Sequence, residues 1–118
     1  MQKPPFYKSL LYSIKGVFWM LKSERNFQLE VLALIVNLFL IVYFELSSTD
    51  AALIILVCFL VLITEALNTA VEKICNFVEP NFNKKIGLIK DIAAGAVILA
   101  TFLSIIVGIL VYSNYFFY

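Results

Sequence analysis

The sequence predicts an all-α integral membrane protein, a single domain over residues 1–118, with an amphipathic N-terminal surface helix and three transmembrane helices. Composition is the first observation: 63% of the 118 residues are hydrophobic, 14% are charged, and the mean hydropathy is +0.97. Soluble domains are about half apolar and about a quarter charged, and a chain this short cannot hide the excess in one core. The second observation is that the apolar residues fall into three stretches, each long enough to cross a bilayer.

The N-terminal segment, about residues 6–24, carries a different pattern from the three apolar stretches. Lysines recur every seven residues on one face of a helix, and apolar side chains occupy the opposite face. The lysines are Lys8, Lys15 and Lys22, with Tyr12 and Trp19 on their side. This pattern predicts an amphipathic helix that lies in the membrane surface.

The three transmembrane helices are predicted over about residues 27–46, 51–78 and 86–112. The first is apolar except for Asn37, whose amide is expected to hydrogen-bond a neighbouring helix. The second is preceded by the N-cap candidates Ser48, Thr49 and Asp50, and it is expected to stop before Pro80.

Basic residues are distributed unevenly along the chain, and their positions predict the topology. All nine lie in the N-terminal region or around the loop between the second and third spans: Lys3, Lys8, Lys15, Lys22, Arg25, Lys73, Lys84, Lys85 and Lys90. No charge follows Asp91, and the chain ends in aromatic residues, Tyr112 and 115–118, that are expected to anchor the third helix at the membrane interface. The positive-inside rule predicts a cytoplasmic N-terminus, a cytoplasmic 79–85 loop and a C-terminus outside.

Net charge and residue usage exclude several functional classes. Nine basic and eight acidic residues give 9 − 8 = +1, too little for a nucleic-acid binder that neutralises many phosphates. The chain has no histidine, and Cys58 and Cys75 both fall in the second transmembrane helix, where they cannot pair with each other. Any chemistry therefore depends on carboxylates, lysines and amides.

Polar residues on the second transmembrane helix form a ribbon along one face. They are Glu65, Asn68, Thr69, Glu72 and Asn76, at spacings of 3, 1, 3 and 4. At a rise of about 1.5 Å per residue from Ala51, Glu65 is about 21 Å deep, within the lipid, and Glu72 is about 32 Å deep, at the cytoplasmic interface. A carboxylate inside the membrane is costly, so each one is a hypothesis of function.

One layer near the cytoplasmic face gathers polar side chains from all three transmembrane helices. Lys90 and Asp91 reach the level of Glu72 from the third helix, and Glu24 and Glu30 reach it from the start of the first. Hard oxygen ligands without histidine suit Mg²⁺, lysines bind phosphate, and a deeper carboxylate could accept a proton from a hydroxyl in the membrane. The layer therefore favours phosphoryl transfer from MgATP to a lipid alcohol.

Two alternatives remain open at this point. Transmembrane carboxylates also form proton or cation pathways in small transporters, and a structural membrane subunit is a further interpretation of the same pattern. No Walker A sequence or GxGxxG loop is present, so a nucleotide would have to bind to helix side chains.

Four short motifs carry a resemblance to a known family. E-A-L-N-T-A-V-E occupies residues 65–72, K-D-I-A-A-G-A-V residues 90–97, S-E-R-N-F residues 23–27 and Y-S-I-K-G residues 12–16. Together they closely resemble the small prokaryotic diacylglycerol kinase and undecaprenol kinase family. The resemblance implies a homotrimeric lipid kinase of the bacterial inner membrane, whose subunits share active sites. The implied reaction is phosphorylation of diacylglycerol, or alternatively undecaprenol, by ATP.

The resemblance also implies roles for individual residues. Glu65 looks like the general base for the lipid hydroxyl, and Asn68 looks like its hydrogen-bonding neighbour. Glu24 and Glu72 look like the pair that holds the divalent cation, Mg²⁺, on the ATP phosphates. The residues that resemble nucleotide-site positions are Tyr12, Glu24, Glu72, Asn76, Lys90 and Asp91.

Three positions depart from the family pattern. Asn76 stands where an aspartate is usual, Gln28 where an arginine is common, and Pro5 where a basic residue is common, with Lys8 nearby. Asn76 keeps hydrogen-bonding capacity but loses charge, so this departure is expected to affect nucleotide binding more than the chemistry.

Overall fold

A computed structural model describes residues 3–116, which contain four α-helices. They are α1 (Phe6–Ser23), α2 (Arg25–Tyr43), α3 (Ser48–Val78) and α4 (Lys84–Phe116). By length and composition, α2, α3 and α4 could each cross a membrane. The all-helical prediction and the three candidate spans are confirmed, whereas the last two aromatic residues of the chain, Phe117 and Tyr118, lie outside the described residues.

The predicted end of the first span, at residue 46, is wrong by three residues, because a local hydrogen-bonding motif ends α2 at Tyr43. The Leu46 amide donates to the Ile41 carbonyl at 3.0 Å, and the Glu45 amide donates to the Val42 carbonyl at 3.2 Å. Glu45 has a φ of 51°, the left-handed conformation that a Schellman motif requires. Glycine usually occupies this position, so a glutamate here does not indicate the motif.

The N-cap of α3 is Ser47, not one of the predicted candidates Ser48, Thr49 and Asp50. The Ser47 hydroxyl oxygen accepts a hydrogen bond from the Asp50 amide at 3.2 Å, which places the three candidates in the first turn. The helix ends at Val78, before Pro80, as predicted.

The third span begins at Lys84, earlier than the predicted residue 86, because Asn83 caps it. The Asn83 side-chain oxygen accepts from the amides of Lys85 and Ile86 at 3.0 and 3.2 Å. The helix also continues beyond the predicted residue 112, to Phe116.

The central helix of the bundle is α3, which packs most extensively against α4 and next against α2. A small buried core joins α1, α2 and α3 through Met20, Phe27 and Leu62. The Lys73 ammonium lies 4.5 Å from the centre of the Trp19 ring, a second contact between α1 and α3. Most apolar side chains of α2 and α4 are exposed, as expected of helices that face lipid or another subunit.

The end of the bundle near the α2–α3 turn is held by tyrosines of α4. The Tyr112 hydroxyl donates to Asn37 Oδ1 at 2.6 Å, which confirms the predicted interhelical hydrogen bond of Asn37. The Tyr115 hydroxyl donates to Asp50 Oδ2 at 2.7 Å and accepts from the Ser47 amide at 3.1 Å. These contacts fix α4 against both neighbouring helices at the end opposite the acidic residues of α3.

Candidate active site

The polar ribbon of α3 changes from buried to exposed along the helix. Glu65 and Asn68 are buried, with 5% and 9% of their surfaces exposed. Glu72 is half-buried, and Asn76 is exposed one turn further on. The middle of α3 packs against both α2 and α4, which accounts for the burial of Glu65 and Asn68, whereas Asn76 lies on an exposed part of the last turns, although Cys75 beside it is buried.

Four of the predicted site residues form one group around Glu65. Asn68 donates from its side-chain nitrogen to Glu72 Oε1 at 3.3 Å. The carboxylates of Glu24 and Glu72 lie close enough to Glu65 for their charges to act on it. Glu24 reaches the group because it is the one extended residue between α1 and α2, with φ −108° and ψ 113°. The structure thus brings the proposed base, its neighbour and the proposed metal ligands together.

The other predicted residues lie apart from this group. Lys90 donates from Nζ to Asn76 Oδ1 at 3.0 Å, which links α4 to the last turns of α3. Asp91 follows Lys90 in the chain and is exposed. Tyr12 is exposed on α1, with the Lys15 ammonium 5.9 Å from the centre of its ring.

A cavity of about 440 Å³ lies between α2, α3 and α4. Asn26, Glu30 and Glu65 line it on the side of the acidic group, and Asn26 is near enough to Glu65 for a side-chain hydrogen bond. Asn37 and Ile54 line it towards the other end of the bundle. The cavity therefore connects the buried Glu65 carboxylate with the apolar middle of the helices.

Two buried oxygen atoms at this site have no hydrogen-bond partner among the described residues. They are Glu30 Oε1 and Asn68 Oδ1. Buried polar atoms in proteins are nearly always paired, so an orphaned acceptor indicates a group that the chain itself does not supply. A hydroxyl group is one such donor, and a carboxylate beside it could take its proton.

The sequence predicted that Glu30 belongs to the layer of polar side chains near the cytoplasmic face, but it predicted no role for Glu30 or for Asn26. The signal was present in the spacing of α2, where Asn26, Glu30, Ala33 and Asn37 follow steps of 4, 3 and 4. Such steps put all four on one helix face, and all four line the cavity.

The acidic group fits a magnesium ion only in part. Residues 3–116 contain no group of three or more histidine, cysteine, aspartate or glutamate side chains that could hold a metal ion. Mg²⁺ usually takes one or two carboxylates and completes its shell with water and substrate phosphates. Glu24 and Glu72 supply that number of oxygen ligands, so this donor set suits a metal that arrives with a nucleotide.

Comparison of the sequence with known proteins places the chain in a family. The chain matches the family model described as prokaryotic diacylglycerol kinase over residues 11–112. It is 31% identical to the undecaprenol kinase of Bacillus subtilis over 107 residues, which cover 91% of this chain and 87% of that protein. It is also 31% identical to a diacylglycerol kinase of Synechocystis over 106 residues, covering 89% of this chain and 61% of that protein. Identity to the diacylglycerol kinase of Escherichia coli K12 is 27% over 109 residues, covering 92% and 89%.

Proposed function

The chain belongs to the prokaryotic diacylglycerol kinase family and is a lipid kinase, and from that premise we propose that it transfers a phosphoryl group from ATP to diacylglycerol. The observation that carries the proposal is the buried Glu65 carboxylate in a cavity between membrane helices. The orphaned acceptor Glu30 Oε1 lines the same cavity, so the Glu65 end is the polar end of the cavity, where the hydroxyl group of a lipid alcohol would lie. Membership of a kinase family sets aside the transporter and structural-subunit alternatives.

In the proposed reaction, Glu65 removes the proton of the lipid hydroxyl as the hydroxyl oxygen forms a bond to the terminal phosphorus of ATP. The bond between that phosphorus and the ADP oxygen breaks, and Glu65 later returns its proton to water. Asn68 holds Glu72 by a hydrogen bond and thereby fixes one proposed phosphate-side carboxylate relative to the base. Positioning accounts for most of the catalysis in such a transfer, because the protein forms no covalent intermediate.

We propose that Glu24 and Glu72 hold Mg²⁺ on the ATP phosphates, while Tyr12, Asn76, Lys90 and Asp91 contribute to nucleotide binding. The magnesium ion would neutralise phosphate charge during transfer. Asn76 contributes to nucleotide binding indirectly, because its side-chain oxygen accepts from the Lys90 ammonium at 3.0 Å and orients it without neutralising its charge.

The general-base role of Glu65 is tested by Glu65→Gln in a transfer assay with radiolabelled ATP and diacylglycerol in mixed micelles. We expect kcat to fall by about 10²- to 10⁴-fold, the usual contribution of a general base, with little change in KM for MgATP. Glu72→Gln should mainly raise KM for MgATP. Glu45→Gln, the same change in the turn between α2 and α3, is the matched control and should retain activity. Transfer by Glu65→Gln at the wild-type rate would exclude Glu65 as the base.

Undecaprenol is the second candidate acceptor, because a relative is named for it. One relative at 31% identity is named an undecaprenol kinase, and another at the same identity is named a diacylglycerol kinase. Both acceptors present one hydroxyl group on an apolar body. Competition between the two lipids in one reaction measures the ratio of their kcat/KM values and decides between them.

We further propose that the protein is a homotrimer with shared active sites. On α3, a stripe of exposed apolar side chains follows steps of 3, 4, 3, 4, 7 and 3, close to the heptad spacing by which helices associate along a seam. The stripe consists of Leu53, Leu56, Leu60, Ile63, Leu67, Ile74 and Phe77. The stripe lies on the face of α3 opposite the polar ribbon, so association along it would cover the side of α3 that α2 and α4 leave exposed.

For location we propose the bacterial inner membrane, with the N-terminus and the loop after α3 in the cytoplasm and the C-terminus outside. The basic residues support this orientation, since all nine lie in the N-terminal region or around the loop between α3 and α4, the parts of the chain that would face cytoplasmic ATP. The lysines of α1, with the apolar residues opposite them, support a helix that lies on the cytoplasmic membrane surface.

A further inference from the structure

The cavity between α2, α3 and α4 is a slot that runs parallel to the helices. Its lining runs over twelve residues, or eleven residue steps, on each helix: 26 to 37 on α2, 54 to 65 on α3 and 97 to 108 on α4. Eleven residue steps correspond to about 16 Å of helix. The slot therefore extends from the level of Glu65 to the level of the Asn37–Tyr112 hydrogen bond.

Polar groups along the slot differ in whether they need a partner. Near Glu65, the Glu30 Oε1 atom has no partner among the described residues. At the far end, Asn37 donates to the Ala33 carbonyl at 2.8 Å and accepts from Tyr112. Ser104, on α4, donates to the Thr101 carbonyl at 2.7 Å. The far half is satisfied internally and is otherwise apolar, so its occupant needs a polar group only at the Glu65 end.

Gly108 determines how far the slot extends on the α4 side. It lines the slot and also a shallow apolar groove formed with Ile105, Ile109, Tyr112 and Phe116. A Cβ atom built on Gly108 would meet no other atom within 4 Å. A long side chain at this position would point towards the preceding helical turn, at Ser104, and would fill the far end of the slot.

Building on the proposed lipid kinase function, we propose that the slot holds one hydrocarbon tail of the acceptor lipid and that Gly108 sets the length of tail that fits. The hydroxyl end lies at Glu65 and the tail runs towards Asn37 and Tyr112. Polar and apolar ends of the slot match the two ends of such a lipid. A second tail stays in the bilayer.

The proposal is tested by comparing Gly108→Leu with the wild-type protein on two acceptors, dioctanoylglycerol and dioleoylglycerol. An octanoyl tail is shorter than the slot and an oleoyl tail is longer. We expect kcat/KM for the oleoyl acceptor to fall about tenfold or more and kcat/KM for the octanoyl acceptor to change by about twofold at most. Leu110→Phe, which adds volume at an exposed position two residues away, is the control. It should leave kcat/KM unchanged for both acceptors. Equal changes for both acceptors would overturn the proposal.

A second measurement does not depend on turnover. A diacylglycerol with a diazirine at the end of one oleoyl-length tail is photolysed on the wild-type protein, and the labelled peptides are mapped. We expect labels near Ile54 and Cys58 and on the α4 turn at Gly108, and we expect Gly108→Leu to abolish them. Labels confined to outward-facing residues would exclude the slot.

These two measurements separate the slot from the kinase function. Labelling at the slot without phosphate transfer to any lipid alcohol would retain the slot and refute the proposed function. Transfer that is independent of tail length, together with labels outside the slot, would retain the proposed function and refute the slot.

Discussion

At the scale of single residues, the tyrosines of α4 supply hydrogen-bond partners to polar groups that water does not reach inside a membrane. Asn37 sits in the middle of an apolar helix, where water is absent and an unpaired amide oxygen is costly. The Tyr112 hydroxyl gives that oxygen a partner at 2.6 Å, and its ring stacks on Phe116 with ring centres 5.6 Å apart. One side chain thus supplies both polar and apolar contacts between α2 and α4.

Tyr112→Phe tests the hydrogen bond while keeping the ring. We expect it to lower the free energy of unfolding by about 1 kcal/mol, the size of interhelical hydrogen bonds in membrane proteins. Thermal unfolding in detergent measures the change. Tyr43→Phe removes a hydroxyl from an exposed tyrosine and is the control, with an unchanged Tm. Equal Tm values for all three proteins would show that the bond contributes nothing to stability.

Spacing on α3 predicted which residues share a face, and the structure indeed brings Asn68 beside Glu72 and Lys90 beside Asn76. The sequence also predicted that Asn37 would bond to another helix. It could not identify Tyr112 as the partner, because that depends on how α2 and α4 pack. The spacing of α2 places Asn26 and Glu30 on the face of Asn37, but it could not show that this face borders a cavity, because the cavity depends on how three helices pack.

At the scale of elements, helix ends depend on local backbone hydrogen bonds more than on hydropathy. Hydropathy predicted three spans, and all three exist as helices. Their ends shifted by a few residues, because caps at Ser47 and Asn83 and a Schellman motif at Glu45 fix them. The Schellman motif has a glutamate at its left-handed position, where glycine would be unstrained.

Glu45→Gly should therefore stabilise the protein. The left-handed conformation costs a non-glycine residue about 1 to 2 kcal/mol, and part of that gain is lost to the greater freedom of glycine when unfolded. We expect a net increase of about 1 kcal/mol in the free energy of unfolding, measured by thermal unfolding in detergent. Ser48→Gly, three residues along in the first turn of α3, should have the opposite sign. A lower Tm for Glu45→Gly would contradict the explanation.

At the scale of the whole molecule, one chain places the proposed site residues in separate groups. Glu65, Asn68, Glu72 and Glu24 lie together, while Lys90 contacts Asn76, which is one turn beyond Glu72 and eleven residues, about 16 Å, from Glu65 along α3. Tyr12 and Asp91 are exposed. A site that combines groups from neighbouring subunits would use these exposed residues, which is what the proposed trimer supplies.

Mixed trimers test whether active sites are shared between neighbouring subunits. Glu65→Gln and Lys90→Met chains, each nearly inactive alone, should regain activity when they are unfolded and reassembled together, because some sites then receive both wild-type residues. The control mixes Glu65→Gln with Glu72→Gln, and all mixtures are assayed at a MgATP concentration far below the raised KM of the Glu72→Gln chain, where that chain alone is nearly inactive. Those residues share one α3 and are linked through Asn68, so no mixed site can contain both intact, and activity should stay low. Equal recovery in both mixtures would contradict a shared site of this composition.

The two carboxylates at the inner end of the slot also bear on what happens after transfer. On the proposed function, the acceptor enters as a neutral alcohol and leaves as a phosphate ester with a charge of about −1.5 to −2. Glu30 and Glu65 line the same cavity, so once Glu65 has returned its proton to water the new anion lies beside like charge, and none of the cavity-lining residues is a cation. Repulsion then favours expulsion of the product headgroup towards water, and the same pair of carboxylates disfavours its rebinding.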